Sequence, residues 1–441
     1  MIFSLYGKPG FISPDTGSYA APASELAKYG TFSANGTPEI VRTPGYPLFL
    51  AMFIELPQWE LWAVTAQCFI AGLVTVLTYK LAKSLAGIRA GCFAAFIFAV
   101  SPITVTYTTF IITERLTSFF MAVLCAAMFK FLEKPRMAPN VLAAAASSCG
   151  AFVRPAAMFV PYCVAAFIIF SCAAKKIRAA RIAAFVVVFL LISAAPIRLW
   201  EYRNLRVSDY RGFSAISAVN LYFYNAAGVL AKLENKSFYD MQNEMGYYDS
   251  DNYKAKHPGQ QGLSRGEIFN SMAREGREII KSNPYIYAKV HIQGMLFAVI
   301  TPGTHTLVRR SWGENAPGFR SMKHGRSMTS FIMVLIKEMP ITFMIFSSSA
   351  TLLAIVYLFS AAGFMVCGRT RQFETAFVTL TAAYFILIAG GPAATDRFRD
   401  PINFIIAMWA GIGIERFLTH KKQWRQMMNT FQCILFSKKL A

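Results

Sequence analysis

The residues best suited to chemistry are a carboxylate near the start of the chain and arginines at the ends of apolar segments. Asp15 stands in the run Asp15-Thr16-Gly17-Ser18-Tyr19, before a predicted helix over 18–29 that Gly30 ends. A carboxylate can take a proton from a hydroxyl group, and arginines can bind a phosphate group through paired hydrogen bonds. An Asp before a helix can equally be its N-cap, so these residues leave two roles open for Asp15.

Other candidate side chains also lie next to apolar segments. Together with Asp15, the candidates for catalysis or substrate binding are Tyr19, Arg42, Tyr46, Glu114, Arg154, Asn220, Tyr222, Arg397 and Arg399. Several have an alternative role that the residues leave open, and Arg397 and Arg399 could simply be neutralised by the acidic residues beside them. Glu114 could form an ion pair with Arg115 or a distant arginine, Arg154 could extend to lipid head groups, and the tyrosines could anchor the chain at the membrane interface.

The composition predicts a membrane protein. Hydrophobic residues make up 55% of the 441 residues and charged residues only 15%, which is too apolar for a soluble domain. Apolar segments that can cross a hydrocarbon core of about 30 Å recur along the chain. The predicted spans cover residues 59–79, 91–108, 116–132, 139–153, 156–173, 182–199, 345–367, 374–391 and 401–418.

The formal net charge of +21 does not indicate nucleic acid, because the Lys and Arg residues lie at the ends of the apolar segments. Every second junction between spans is basic, as the positive-inside rule expects of cytoplasmic loops. The remaining junctions, which contain the candidate residues, are then extracytoplasmic. The expected location is an inner (plasma) membrane, with a cytoplasmic C-terminus.

This alternation divides the chain into five predicted parts. They are an extracytoplasmic loop (1–58), a transmembrane bundle (59–199), a second extracytoplasmic loop with interfacial helices (200–344), C-terminal spans (345–418) and a basic cytoplasmic tail (419–441). Nine spans with an outer N-terminus suggest that a first helix is missing, of which Met1 to Tyr6 would be a remnant.

Local signals predict three interfacial segments within the second loop. A helix from Ser264 to Ile280 begins with a capping box formed by Ser264 and Glu267. The stretch Tyr285 to Ile300 is interpreted as amphipathic, and Met328 to Ile336 is expected to lie on the membrane as well. The eight cysteines mostly fall in spans and are expected to serve as small packing residues.

The sequence resembles the glycosyltransferase C superfamily, specifically the bacterial relatives of dolichyl-phosphate-mannose protein mannosyltransferase and of the lipid A aminoarabinose transferase. The resemblance rests on Asp15 to Tyr19, Ala27-Lys28-Tyr29-Gly30, Arg42-Thr43-Pro44-Gly45-Tyr46-Pro47-Leu48 and Asp396-Arg397-Phe398-Arg399-Asp400-Pro401. It implies an all-α polytopic membrane protein, a transmembrane helix bundle with extracytoplasmic loops and interfacial helices.

The resemblance also implies an activity, the transfer of a sugar from a polyprenyl-phosphate donor to a periplasmic or outer-leaflet protein, lipid or glycan, with inversion at the anomeric carbon. Asp15 would be the general base. Glu114 would orient a substrate, or hold a divalent metal together with Asp15. The arginines would bind the lipid phosphate, and the aromatic and amide side chains would bind substrate. No cofactor other than that possible metal is implied.

Two other functions remain as alternatives. A transporter or flippase of lipid-linked sugars would show charged residues within spans and paired repeats, and neither is clear in the sequence. A non-catalytic membrane subunit with the same fold is the third hypothesis. The presence of Asp15, Glu114 and the arginines argues against it.

Overall fold

The structure is a computed structural model that describes residues 8–303 and 340–419, together with positions 333, 336 and 337. The predictions for residues 1–6, for most of the stretch 328–336 and for the tail after Thr419 lie outside the described residues. Apart from loops and turns, the described residues form helices and two short antiparallel strands, Ser33–Ala34 and Thr37–Pro38.

Six helical segments in the described ranges are long and apolar enough to cross a membrane. They are Trp59–Ala86, Glu114–Glu133, Pro155–Ala174, Ala179–Ser208, Phe343–Gly368 and Asp396–Thr419. A seventh crossing results if Ile88–Val100 and Pro102–Thr109, which meet at a bend of 51°, count as one span. The chain is therefore a multi-pass membrane protein built of α-helices.

All nine predicted spans overlap helices, although the helix that begins at Trp59 continues beyond the predicted end at 79 to Ala86, and the segment Ala179–Ser208 continues well beyond 199. Two predicted spans, 139–153 and 374–391, are not among the seven segments named above. They correspond to the helices Met137–Val153 and Gln372–Ile388, each 17 residues long. That length is below the roughly 20 residues that a membrane crossing needs, so for these two helices the crossing stays a prediction.

Within the longer segments, the regular helices have the following bounds: Val160–Ala174, Ala179–Ser193, Ala195–Ser208, Pro340–Thr370 and Asn403–Thr419. The other α-helices are Thr16–Tyr29, Gly45–Ala51, Ile216–Val219, Ala227–Leu233, Phe238–Glu244, Ser250–Lys256, Arg265–Ser282 and Pro284–Ile300. Short 3-10 turns cover Lys8–Phe11, Pro155–Ala157, Pro258–Gln260 and Asp396–Ile402, and a π-helix covers Asn220–Ala226.

The helix Glu114–Glu133 lies at the centre of the bundle. Its buried face, which includes Met121, Leu124 and Met128, belongs to the main apolar core. Its neighbour Met137–Val153 buries mostly small residues, and small side chains allow membrane helices to approach closely. The first residue of this central helix is Glu114, so the packing of the bundle fixes where that carboxylate lies.

At the end of the bundle that contains Asp15, the segment before Trp59 packs against the segment that begins near residue 200. The amide of Ala215 donates to the carbonyl of Ile40 over 2.8 Å. The guanidinium group of Arg203 donates to the carbonyls of Phe32, over 3.0 Å, and of Glu39, over 2.5 Å. The helix Ala195–Ser208 runs continuously through the predicted boundary at residues 199 and 200, so the end of a span carries Arg203 directly to this contact.

The segment that follows has an apolar core of its own, formed by Tyr222, Phe223, Met241, Tyr253 and Met272, among others. Its capping box at Ser264 and Glu267 is confirmed: the Ser264 hydroxyl accepts from the Glu267 amide, and the Glu267 carboxylate accepts from the Ser264 amide.

The prediction that Tyr285 to Ile300 is amphipathic is wrong. The helix Pro284–Ile300 buries Val290 and Ala298 on one side and exposes Ile292, Leu296 and Ile300 on the other. Both faces are apolar, because its few polar side chains are not collected on one side.

The seven described cysteines are free. Cys125, Cys172 and Cys367 are buried and pack as expected. Four others are exposed on their helices, so the packing interpretation is wrong for Cys68, Cys92, Cys149 and Cys163. Cys433 lies outside the described residues.

Candidate functional site

The start of the helix Thr16–Tyr29 is fixed against the turn that precedes the central helix. The Thr16 hydroxyl donates to the carbonyl of Ile111 over 3.0 Å, and the Ile111 amide donates to the carbonyl of Phe11 over 3.0 Å. Asp15 stands at the N-cap position, but its side chain forms no capping hydrogen bond. The helix-cap alternative for the Asp15 carboxylate is therefore not realised.

The Asp15 carboxylate instead binds two arginines. Its Oδ1 accepts from Nη2 of Arg42 at 2.9 Å, and its Oδ2 accepts from Nη1 of Arg397 at 2.5 Å. Arg42 is held in place by Ser18, whose Oγ accepts from Nε at 3.0 Å, and by Tyr19, whose hydroxyl accepts from Nη1 at 3.0 Å. The Arg42 guanidinium also lies 4.4 Å from the centre of the Tyr19 ring.

Glu114 forms the second half of the cluster. Its Oε1 accepts from Nε of Arg397 and, at 2.7 Å, from Nη1 of Arg154. The Arg154 guanidinium lies 5.3 Å from the centre of the Phe398 ring. Arg154 thus has the partner that its position demanded, and the alternative that it extends to lipid head groups is wrong. Glu114 pairs with distant arginines, as one of its two interpretations predicted.

Exposure distinguishes the two carboxylates. The side chain of Asp15 is 33% exposed, whereas that of Glu114 is 0% exposed. A bound molecule can therefore reach Asp15 directly, but can reach Glu114 only if Arg397 moves. The cluster consists of two carboxylates, Asp15 and Glu114, and three guanidinium groups, those of Arg42, Arg154 and Arg397. It therefore has one excess positive charge, which suits an anionic ligand.

The arginines set the protonation of Asp15. Burial alone would raise the pKa of its carboxyl group, but the charges of Arg397 and Arg42 outweigh that effect and lower the pKa to about 2. Burial raises the pKa of Tyr19 and, more strongly, that of Tyr46. At neutral pH Asp15 is thus an anion, and it is a weak base while both arginines hold it.

A divalent metal shared by Asp15 and Glu114 does not fit this arrangement. Arg397 lies between the two carboxylates and binds both, and a cation at that place would meet its charge. In the described ranges no group of three His, Cys, Asp or Glu side chains could hold a metal ion.

Tyr46 supports the cluster through its contact with Tyr19. Its ring contacts that of Tyr19, with centroids 5.1 Å apart and an interplanar angle of 80°. The Tyr46 hydroxyl donates to Gln67 at 2.7 Å, and the Gln67 amide donates to the carbonyls of Thr108 and Phe110. These contacts join the segment before Trp59 to the first span and to the turn before Glu114.

The structure does not bring the other predicted residues into the cluster. Arg399 donates to the carbonyls of Ala298, Val299 and Thr301 and to the hydroxyl of Tyr357. Tyr222 is buried against Phe223 and Tyr253, in the apolar core of the segment that follows the helix Ala195–Ser208. Asn220 is exposed at the start of the π-helix.

The sequence analysis missed two acidic residues beside Arg397. Asp400 forms a fully buried ion pair with Arg115, and Asp396 accepts a hydrogen bond from the Tyr107 hydroxyl at 3.1 Å. The local pattern suggested that these acids neutralise their neighbouring arginines, and that suggestion is wrong for Arg397, whose partners are Asp15 and Glu114.

Tyr224, which was not among the predicted site residues, is influenced by the charge of Asp15. Burial and a hydrogen bond with Tyr247, whose hydroxyl oxygen lies 2.5 Å away, raise the pKa of Tyr224, and the charge of Asp15 raises it further. Tyr224 therefore lies within electrostatic range of Asp15. Its place in a π-helix was the missing signal, since such helices are frequent at functional sites and are not visible in a sequence pattern.

Comparison with known proteins gives a family match and a fold. The family model described as dolichyl-phosphate-mannose-protein mannosyltransferase matches residues 41–200, a range that contains Arg42, Tyr46, Glu114 and Arg154. The Archaeoglobus fulgidus oligosaccharyltransferase in complex with Zn and sulfate matches with a TM-score of 0.50 and 12% identity over 95% of this chain and 47% of that chain. The chain has the glycosyltransferase C fold.

The family match confirms the predicted resemblance, and the structural match confirms the predicted fold class. Archaeal oligosaccharyltransferase AglB from A. fulgidus in complex with an inhibitory peptide and a dolichol-phosphate matches with a TM-score of 0.49 and 11% identity over 94% of this chain and 48% of that chain. ArnT from Cupriavidus metallidurans bound to undecaprenyl phosphate matches with a TM-score of 0.36 and 16% identity over 93% of this chain and 75% of that one.

The chain spans about half the length of the archaeal oligosaccharyltransferase chains it matches. No curated protein matches the sequence.

Proposed function

We propose that this chain is a membrane glycosyltransferase that moves a sugar from a polyprenyl-phosphate donor to a hydroxyl group of a protein, lipid or glycan, with Asp15 as the general base. The chemistry would take place on the extracytoplasmic side of a bacterial inner membrane. The match of residues 41–200 to a family named for a lipid-phosphate sugar donor supports the class of donor. The observation that carries the proposal is the accessible Asp15 carboxylate between Arg42 and Arg397.

The reaction makes two demands that this pair of arginines and one carboxylate can meet. The acceptor hydroxyl must lose its proton as its oxygen attacks the anomeric carbon, and Asp15 takes that proton. The bond between the anomeric carbon and the phosphate oxygen breaks, and its electron pair stays on the lipid phosphate, which gains one negative charge. Arg42 and Arg397 lie where they can stabilise that charge. A single displacement of this kind inverts the anomeric carbon.

Donor binding would also change the strength of the base. While both arginines bind Asp15, their charges keep the pKa of its carboxyl group at about 2. A phosphate group that binds the same guanidinium groups weakens their hold on Asp15, and its own negative charge raises that pKa as well. In this proposal the base becomes effective only when the donor is in place.

Glu114 has a different role in this scheme. Its side chain is fully buried and binds Arg397 and Arg154, so it positions the arginines and does not contact the substrates. Tyr19 positions Arg42 in the same way. Asn220, which is exposed at the start of the π-helix, remains a candidate for contact with the sugar.

The experiment is a transfer assay in membranes that contain the chain, with a panel of labelled polyprenyl-phosphate sugars. The variant Asp15→Asn keeps the shape of the side chain and removes its charge, and we expect it to lower the transfer rate by about 10²–10⁴-fold. Asp251→Asn is the matched control, because its side chain is 83% exposed and pairs with Lys254, away from the Asp15 cluster. It should transfer at the wild-type rate.

The amount of each variant in the membrane is measured alongside the rate, so that loss of protein is separated from loss of chemistry. An Asp15→Asn variant with full activity would show that Asp15 is not the base. A wild-type chain that transfers none of the sugars in the panel would contradict the proposed function itself.

A further inference from the structure

A second cavity lies among four helices at the end of the bundle away from Asp15. Its volume is about 470 Å³, and besides Trp59–Ala86, Glu114–Glu133 and the start of Gln372–Ile388, a fourth helix, Met137–Val153, contributes Leu142 to its wall. Its wall is apolar and includes Leu77, Leu81, Val123, Phe129 and Leu142. Its polar lining residues, called the rim below, are Lys80, Ser84, Lys130, Glu133, Arg371 and Glu374.

The position of this cavity follows from the central helix, which both sites share. Glu114, in the Asp15 cluster, is the first residue of that helix, and Lys130, on the rim of the cavity, lies in its last turn. With a rise of about 1.5 Å per residue, the two sites are separated by roughly 24 Å along the helix axis. The cavity is therefore separate from the proposed catalytic site and lies close to the other surface of the bundle.

The rim of the cavity is basic. Lys80, Lys130 and Arg371 line it together with Glu133 and Glu374. Arg371 pairs with Glu374, with 3.4 Å between Nη1 and Oε1. The charged rim residues outside this pair are the two lysines and Glu133, which together carry one excess positive charge.

The surrounding chain adds more positive charge. The four junctions over residues 80–89, 130–136, 175–181 and 369–374 contain twelve Lys and Arg residues and only two Glu residues. A ligand that enters this rim therefore meets a positive field, whereas its apolar part meets leucine and phenylalanine side chains.

We propose that this cavity binds an anionic glycerophospholipid. The phosphate group lies between Lys80 and Lys130, and one acyl chain lies along the wall formed by Leu77, Leu81 and Leu142. The combination of a cationic rim with an apolar wall matches a charged head group joined to a hydrocarbon chain, and basic pockets between transmembrane helices are known to select anionic lipids. A zwitterionic lipid leaves the surplus charge unmatched, and a soluble anion leaves the apolar wall exposed.

The test is lipid titration of the delipidated, detergent-solubilised full chain, followed by native mass spectrometry. Phosphatidylglycerol is the anionic probe and phosphatidylcholine the zwitterionic one. We expect tighter binding of phosphatidylglycerol, and we expect the double variant K80Q/K130Q to weaken it by about 10- to 30-fold. The double variant R89Q/R178Q is the matched control, because it removes two charges of the same junctions that do not line the cavity, and it should bind as the wild type does.

A second variant tests the apolar wall without altering charge. Leu142 is 49% exposed and lines the cavity, so L142W should occupy the space of the acyl chain and lower phosphatidylglycerol binding while the helix stays folded. Glycerol phosphate and inorganic phosphate should not displace the bound lipid. Equal binding of the two lipids, equal loss in both double variants, or displacement by inorganic phosphate would each overturn the proposal.

Discussion

Asp15 and Glu114 are joined by a single guanidinium group, because Arg397 donates from Nη1 to Asp15 and from Nε to Glu114. One of these carboxylates is accessible and the other is fully buried. A change at Arg397 therefore acts on the chemistry through Asp15 and on stability through Glu114, and variants can separate the two effects.

The variant Arg397→Gln should lower the transfer rate by about 10²–10³-fold and destabilise the fold by about 1–3 kcal/mol. The stability loss arises because the buried Glu114 loses one of the two guanidinium groups that it binds. Adding Glu114→Gln removes the uncompensated charge, so the double variant should regain part of the lost stability but none of the activity. Thermal unfolding in detergent and initial transfer rates measure the two effects. A double variant no more stable than Arg397→Gln would show that the two residues are not coupled.

The buried pair of Arg115 and Asp400 should dominate the stability of this end of the bundle. Both side chains are 0% exposed, so Asp400→Asn leaves a buried guanidinium group without its counter-charge, at a cost of about 3–5 kcal/mol. Glu201→Gln breaks the exposed pair with Arg198 and should cost less than about 1 kcal/mol. Thermal unfolding compares the two variants, and similar losses would mean that the buried pair contributes no more than a surface pair.

The ion pairs of Asp15 predict a specific dependence of stability on pH. The folded-state pKa of Asp15 is lowered from an ordinary value of 3.8 to about 2, so its contribution is fully present above the ordinary value and is lost as the pH falls through the folded one. The difference in melting temperature between the wild type and Asp15→Asn should be constant above about pH 5 and should vanish towards pH 2. A difference that stays the same from pH 5 to pH 2 would mean that the arginines do not lower the pKa of Asp15.

Gly45 should tolerate no side chain, because a Cβ atom there would lie 2.7 Å from backbone atoms of Phe152 and Val153. Gly45→Ala should therefore destabilise the chain by about 1–3 kcal/mol and displace Tyr46, which supports the cluster. Gly72→Ala is the control, since a Cβ atom at Gly72 would meet no atom within 4 Å. Thermal unfolding should show a loss for the first variant and no loss for the second.

The features that depend on local sequence were predicted well. The helices that cover the spans follow from runs of apolar residues, Gly30 ends its helix with a φ of +67°, and the capping box at Ser264 lies where its motif placed it. Each depends on residues within a few positions of one another. The loose grouping of Asp15, Glu114, Arg154 and Arg397 was also predicted, because the alternation of basic junctions assigns them to one side of the membrane.

The pairings within that group could not be predicted, because they depend on how the helices pack. Arg397 lies 382 residues along the chain from Asp15. Glu114 and Arg115 suggested a local pair, yet adjacent residues of a helix point in different directions and must find separate partners. The structure shows this result: Glu114 binds Arg154 and Arg397, whereas Arg115 binds Asp400. The buried position of Tyr222 likewise depends on the packing of the segment that follows the helix Ala195–Ser208.

The hydrogen bond between Ala215 and Ile40 also has a consequence for the time course of synthesis. A ribosome that adds about 5–20 residues per second needs roughly ten to thirty seconds to proceed from the first of these residues to the second. During that interval the early segment has neither Ala215 nor Arg203 to fix it. Its arrangement around Asp15 is therefore completed late in synthesis. Until then, this polar segment is exposed to pairing with other parts of the nascent chain.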